Sequence, residues 1–244
     1  MKLAMNIRNW GPTATPEFLR ACAEAADQSG LDAIWFNDHL GFPPKIENNE
    51  YGIPDDMGTI LDPLGFATYL AACTQRIKFG TAVLILPYRP PIVTAKLLAT
   101  IQLLSHGRFL LGVGPGYLEE EFRALGVSRK RRGRDTDDMI DFLHACAESE
   151  LIEANGQPFV LSPKLDRPPI YIGGNQRGAE AGRGPLEVVA MKTLPLNDRA
   201  AAIDLAAAYR DAGVSHLVHT QGYDSPAQYA EIVQQIDGEI RTAL

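Results

Sequence analysis

Short apolar runs alternate with longer amphipathic stretches along the chain, the pattern of strands buried on both faces by covering helices. Runs at 3–7, 33–36, 77–86, 109–113, 170–172, 188–192 and 217–219 predict seven parallel core strands. Helices are expected from 16 up to Gly30, over 63–74, 91–104, 118–125, 136–150 and 198–212, and from 226 onward. Thr15 before Pro16 and Asp62 before Pro63 read as N-caps with proline in the first turn, and Gly107 reads as a stop for the third helix. Asn155-Gly156 between two β-prone runs predicts a hairpin over 151–161, outside the core sheet.

This alternation specifies one α/β domain over 1–244 with a parallel sheet. Periodicity does not report closure, so a TIM-type barrel and an open doubly wound sheet both fit. No GxGxxG follows the first strand, which weighs against a dinucleotide-binding sheet. The polar, Pro/Gly-rich stretch 40–60 follows the second strand and reads as a lid over that end.

Composition sets the compartment and excludes some partners. The 244 residues, 45% hydrophobic and 22% charged, suit one barrel-sized domain. No apolar run reaches a membrane-spanning length and the start, Met1 to Asn6, turns polar too soon for a signal peptide, so a cytoplasmic protein is expected. The formal charge of −7 argues against nucleic acid and anionic membranes. The basic run at 129–134 meets Asp135, Asp137, Asp138 and Asp141 and reads as a solvated loop entering a helix. Cys22, Cys73 and Cys146 lie apart without metal-ligand spacing and read as small core side chains.

In parallel α/β barrels the loops after the strand C-termini form the active site. Asp38 and His39 stand at such an end, where imidazole moves protons near neutral pH and a carboxylate can orient it. The competing reading is Asp38 as a turn cap beside an exposed His39. Gly80, Thr81, Ala82 and Val83 either leave room for a flat ring against the backbone or pack closely. The stretch Gly112 to Tyr117 is equally bare, and Glu119 and Glu120 follow where a helix N-terminus favours acids. Gly173, Gly174 and Asn175 offer backbone N–H groups to a phosphate, with Arg177, Arg183 and Lys192 nearby; a plain loop is the alternative.

Taken in order, Leu61-Asp62-Pro63, the run Arg76 to Val83, Pro91 to Lys96, Leu104 to Arg108, Leu111 to Phe122 and Pro168 to Gly174 resemble the bacterial luciferase-like oxidoreductases. The likeness covers about residues 1–175 and leans toward the branch using the deazaflavin coenzyme F420. It implies a luciferase-like (β/α)8 barrel with F420 as first choice, or FMN, lying across the mouth. It also implies a cis peptide at Ala82-Val83 behind the ring, with Thr81 and Gly114 beside it. Asp38, His39 and Glu120 match ring-contacting positions, while Gly173, Gly174, Asn175 and Arg177 form the phosphate corner. Tyr117 stands where sugar-phosphate dehydrogenase relatives carry a catalytic acid, and could give substrate a proton, a hydrogen bond or a stacking surface.

The departure follows Gly174. The family's fifth helix, sixth strand and sixth helix are missing, so the barrel should be incomplete and its free edge should favour a homodimer. The leading expectation is hydride transfer to or from a small organic substrate, with His39 oriented by Asp38. An FMN-dependent monooxygenase and a non-catalytic flavin-binding or dimerising barrel are the alternatives. No metal is expected.

Overall fold

The computed structural model describes residues 1–46, 49, 57–173 and 187–244. Its main sheet holds β1 (Lys2–Asn6), β3 (Ala33–Phe36), β5 (Lys78–Thr81), β6 (Leu84–Ile85), β7 (Phe109–Gly114), β10 (Ile170–Ile172), β11 (Val189–Lys192) and β12 (His216–His219). Neighbours run in the order β10-β7-β5-β3-β1-β12-β11, all parallel. β6 continues β5 after a break at Ala82-Val83, where the peptide is cis as the resemblance implied, so the strand positions number seven. β10 and β11 are the two ends of the arc, and among the described residues they do not pair with each other. The barrel is incomplete where a strand was expected to be missing.

Strand parity sorts the core, because successive side chains face opposite sides. Leu3, Met5 and Ile7 face the helices with Ile34, Phe36, Phe79, Phe109 and Leu111, whereas Ala4, Ala33, Trp35, Leu110 and Val218 fill the barrel. Gly80 and Gly112 face the same interior, and a Cβ there would stand 3.0 and 3.4 Å from the Trp35 ring. Bare backbone on two strands thus makes room for one indole, and burying a side chain of that kind stabilises by roughly 1.5–3 kcal/mol. Tyr171 of β10 meets Trp35 edge-on at 5.4 Å, and its hydroxyl donates to Glu187 Oε2 at 2.8 Å. Glu187 also accepts from Lys2 Nζ at 3.2 Å and lies 3.6 Å from His216 Nε2. This polar knot ties β10, β1 and β12 across the gap near the floor.

The helices are α1 (Pro16–Gln28), α2 (Pro63–Cys73), α3 (Pro91–Ser105), α4 (Glu119–Leu125), α5 (Arg132–Glu148), α6 (Arg199–Asp211) and α7 (Pro226–Gln235). Thr15 and Asp62 cap as expected, the latter accepting from Leu64 N and Gly65 N at 2.9 Å each. Two arginines close helix C-termini on the opposite face from the mouth. Arg76 donates to the carbonyls of Ala26, Asp27, Ser29 and Leu31, and Arg108 to those of Ala71, Thr74, Ile77 and Ser105. Their places in the ordered motifs therefore serve stability.

Several expectations are corrected. The third strand is split by the cis bulge, and the left-handed residue ending α3 is His106 (φ 53°), with Gly107 also at positive φ. The basic run does lead as a solvated turn into a helix, but α5 starts at Arg132, earlier than expected, with Arg131–Asp135 and Arg134–Asp138 paired one helical turn apart. Unforeseen was the short pair β2 (Trp10–Gly11) and β4 (Thr59–Ile60), which anchors the return of the 40–60 segment. The hairpin formed as expected: β8 (Leu151–Ala154) pairs β9 (Gln157–Val160), with Asn155 and Gly156 at φ 53° and 74°.

Candidate active site at the barrel mouth

Adjacent strand ends place the β3, β6, β7 and β10 loops together. The fixed point is the bulge: a Cβ on Gly114 would stand 2.6 Å from one Val83 methyl and a Cβ on Gly173 2.7 Å from the other. Both glycines are therefore required by the close approach of Val83, which nests the bulge against two neighbouring strand ends. Thr81 is fully buried and donates to Gly112 O at 2.7 Å, so its side chain ties β5 to β7 and does not face the mouth as expected.

Asp38 and His39 part company. Asp38 shares the outward parity of Ile34 and Phe36, and its carboxylate is wholly buried, accepting from Ile85 N at 2.8 Å and Arg89 Nη2 at 2.9 Å. Burial pushes this carboxyl above the usual range, against the pull of Arg89 and the Ile85 N–H. Arg89 also bonds Asp62 at 3.0 Å, linking the end of β3, the bulge and the cap of α2. The expectation that Asp38 orients His39 is thus corrected: the parity of the strand turns its side chain away from the mouth, behind the bulge.

The carboxylate on His39 is that of Glu121, from α4, at 3.2 Å from Nδ1. Glu121 is buried; it accepts from Leu40 N at 2.7 Å and from Tyr88 Oη at 3.0 Å. Burial and the adjoining Glu121 push the Tyr88 hydroxyl upward, so it remains a donor. His39 Nδ1 is thus turned to Glu121, and its Nε2 lies on the side where Tyr117 Oη stands at 3.5 Å. Tyr88, Glu121, His39 and Tyr117 thus form one polar chain ending at the mouth. Phe42 packs on His39 with ring centroids 4.6 Å apart.

Inward parity also brings up Asn6 and Asn37, which the sequence reading passed over. Asn37 Oδ1 is 3.4 Å from both Asn6 Nδ2 and Trp10 Nε1, and Asn37 Nδ2 is 3.4 Å from Ala82 O. Glu120 lines a cleft of about 330 Å³ between the 40–43 segment and α4, and Glu119, a first-turn acid of α4 as expected, also pairs with Arg129. Gly173 N donates to Val113 O at 2.7 Å. Gly174, Asn175, Arg177 and Arg183 lie outside the described residues. Glu121 and Tyr88 carried no sequence signal beyond an acid in a first helical turn and a tyrosine after an apolar run.

His219, at the end of β12, is buried; its Nδ1 accepts from Leu194 N at 3.0 Å and its Nε2 faces Gln221 Oε1 at 3.3 Å. Burial pushes it down to about 4, so it is a neutral strut. Among the described residues no group of three or more acidic, histidine or cysteine side chains could hold a metal ion, and no helix is long and apolar enough to cross a membrane.

Comparison with known proteins agrees with this layout. The profile of the luciferase-like monooxygenases matches residues 3–216. An uncharacterised protein of Mycobacterium tuberculosis is 27% identical over 169 residues, 64% of this chain and 59% of its own length, so the chain spans less than two thirds of that relative. The coenzyme F420 dependent tetrahydromethanopterin reductase from Methanopyrus kandleri superposes with a TM-score of 0.66 at 14% identity, covering 99% of this chain and 98% of that one. The oxygenating constituent of 3,6-diketocamphane monooxygenase from Pseudomonas putida, solved with FMN, gives a TM-score of 0.57 at 17% identity, covering 89% and 66%. At these identities the structural likeness shows the fold alone.

Proposed function

The chain belongs to the luciferase-like monooxygenase family, and from that premise we propose that it is an oxidoreductase whose barrel mouth holds a deazaflavin or flavin ring, with coenzyme F420 as first choice, and acts on a small organic substrate. The observation that carries this reading is the Tyr88–Glu121–His39–Tyr117 chain at the same end of the barrel as the cis bulge. The donor set suits a planar heterocycle with polar edges. Ala82 and Val83 give an apolar backing braced by Gly114 and Gly173, Asn6 and Asn37 give amides, and His39 gives a proton-exchanging nitrogen. Trp35 Nε1 adds a buried donor inside the barrel with no hydrogen-bond partner among the described residues.

When bound, the reduced ring supplies the hydride. The chain's own residues supply everything else. Glu121 holds the imidazole by its Nδ1–H, so Nε2 gives or takes the proton that accompanies hydride transfer. Tyr117 bonds or stacks on substrate at that nitrogen. Asp38, locked to Arg89 and Ile85 N, positions the bulge and keeps the β3 end in register with it. Gly174, Asn175 and Arg177 are the proposed phosphate ligands and Glu120 a proposed ring contact; Gly173, whose N–H is held by Val113 O, braces the bulge instead.

An FMN-dependent monooxygenase is the second reading, in keeping with the monooxygenase description of the family whose profile matches the chain. Incubating the purified chain with F420 or FMN, removing free cofactor and recording absorbance tests the proposal. Retained F420 with oxygen-independent turnover supports it, retained FMN with oxygen-dependent turnover favours the second reading, and retention of neither favours a non-catalytic barrel. A cytoplasmic homodimer belongs to the same proposal: Ile172, Val188 and Met191 are exposed at or beside β10 and β11, which among the described residues have one strand neighbour each. Light scattering at micromolar concentration tests it, and a monomer overturns it.

A further inference from the structure

Arg8 continues the inward parity of Ala4 and Asn6 past the end of β1, and the proposed mechanism does not use it. Its backbone N–H donates to Tyr223 Oη at 2.7 Å, and its guanidinium carbon lies 5.3 Å from the ring centroids of both Trp10 and Tyr223. Gly222, just past β12, is bare beneath it: a Cβ there would fall 2.3 Å from Arg8 Nη2. Two aromatic faces and a glycine thus hold a planar cation in place at the mouth, its edge N–H groups unshielded by the rings. Arg76 and Arg108 are spent on helix-end carbonyls, and Arg89, Arg129 and Arg241 meet carboxylates. Arg8 does not: among the described residues no carboxylate lies within ion-pair distance of it, in a chain with 30 acidic and 23 basic residues. It also adjoins the reacting region, since Trp10 Nε1 faces Asn37, two positions before His39.

We propose that Arg8 anchors an anionic group of the substrate, so that the molecules accepted at this mouth are organic acids whose unsaturated body lies along Trp10. This rests on the mouth being the substrate site. A half-buried guanidinium already ordered by stacking pays little further entropy on closing a forked bond to a carboxylate, and it discriminates against a neutral amide of the same shape. The same chemistry would serve a phosphate on a cofactor tail.

The chain has two tryptophans, Trp10 and Trp35, so intrinsic fluorescence reports on the site directly. The intact chain is titrated with benzoate, benzamide and inorganic phosphate. Expected is a saturable response to benzoate at least about tenfold tighter than to benzamide, weakened by about thirtyfold in Arg8→Gln and less in Arg8→Lys, which keeps the charge and loses the planar fork. Saturation by phosphate without a response to benzoate assigns the anion to a cofactor and overturns the substrate class. Equal responses to benzoate and benzamide, or none to any probe, overturn the anion site. If Arg8→Gln does not fold by circular dichroism, the benzoate and benzamide arms on the unaltered chain decide. F420 and FMN binding are measured separately: their absence with a benzoate response intact overturns the redox reading alone.

Discussion

Glu121 bonds His39 across 82 residues of sequence, at 3.2 Å, and no other contact explains so directly why an acid of α4 is buried beneath the mouth. Among the described residues its two oxygens meet Leu40 N, Gly41 N, Tyr88 Oη and the His39 ring.

Removing the imidazole should slow chemistry without loosening the cofactor. His39→Ala is expected to lower turnover by about 10²–10⁴-fold, the usual worth of a positioned acid–base group. Glu121→Gln should lower it about 10–100-fold, because the amide turns an N–H toward a donor and releases the tautomer. Steady-state kinetics beside equilibrium cofactor binding checks both; a Kd that rises in step with the loss of turnover would reassign His39 to binding.

The Asp38–Arg89 pair should tolerate loss of the two partners unequally. Arg89→Met strands a fully buried carboxylate and is expected to destabilise by about 3–5 kcal/mol. Asp38→Asn leaves Arg89 its bond to Asp62 and should destabilise by only about 1–2 kcal/mol. Urea unfolding at neutral pH measures the two, and the reverse order would contradict the buried charge.

Acid should weaken the fold through His219. Its folded value of about 4 lies below the unfolded 6.5, so its contribution is complete above pH 6.5 and is lost as pH falls toward 4, about 3 kcal/mol in all. Burial pushes His216 down as well, adding in the same direction. Unfolding free energies at pH 7 and 4.5 for the chain and for His219→Asn check this: the variant should lose less on acidification, and equal losses would exclude His219.

Two glycines should answer oppositely to alanine. A Cβ at Gly112 would stand 2.0 Å from the Thr81 carbonyl oxygen, backbone that cannot swing away, so Gly112→Ala should destabilise by about 3 kcal/mol or more. Gly133 lies in α5 with open space around its Cβ position, and Gly133→Ala should stabilise by about 0.5–1 kcal/mol. Thermal melts of both variants give the comparison.

The strand and helix order could be read from the chain because burial periodicity and capping are local. Thr15, Asp62 and Asn155-Gly156 each act within a few residues, and the ordered motifs from Asp62 to Gly173 carried the family and with it the cis bulge. The missing sixth strand was visible as missing sequence. Parity along β3 was also available and would have set Asp38 with Ile34 and Phe36, away from His39.

What only the tertiary structure decided is which groups meet across distance. Glu121 and Tyr88 reach His39, Trp35 fills the hollows over Gly80 and Gly112, Tyr171 crosses the gap to Glu187, and Tyr223 with Gly222 holds Arg8. Such partners are fixed by sheet order and by the packing of helices on it. A sequence records each residue's own preference for burial, charge or turn; the identity of its neighbour follows only once the strands have taken their places.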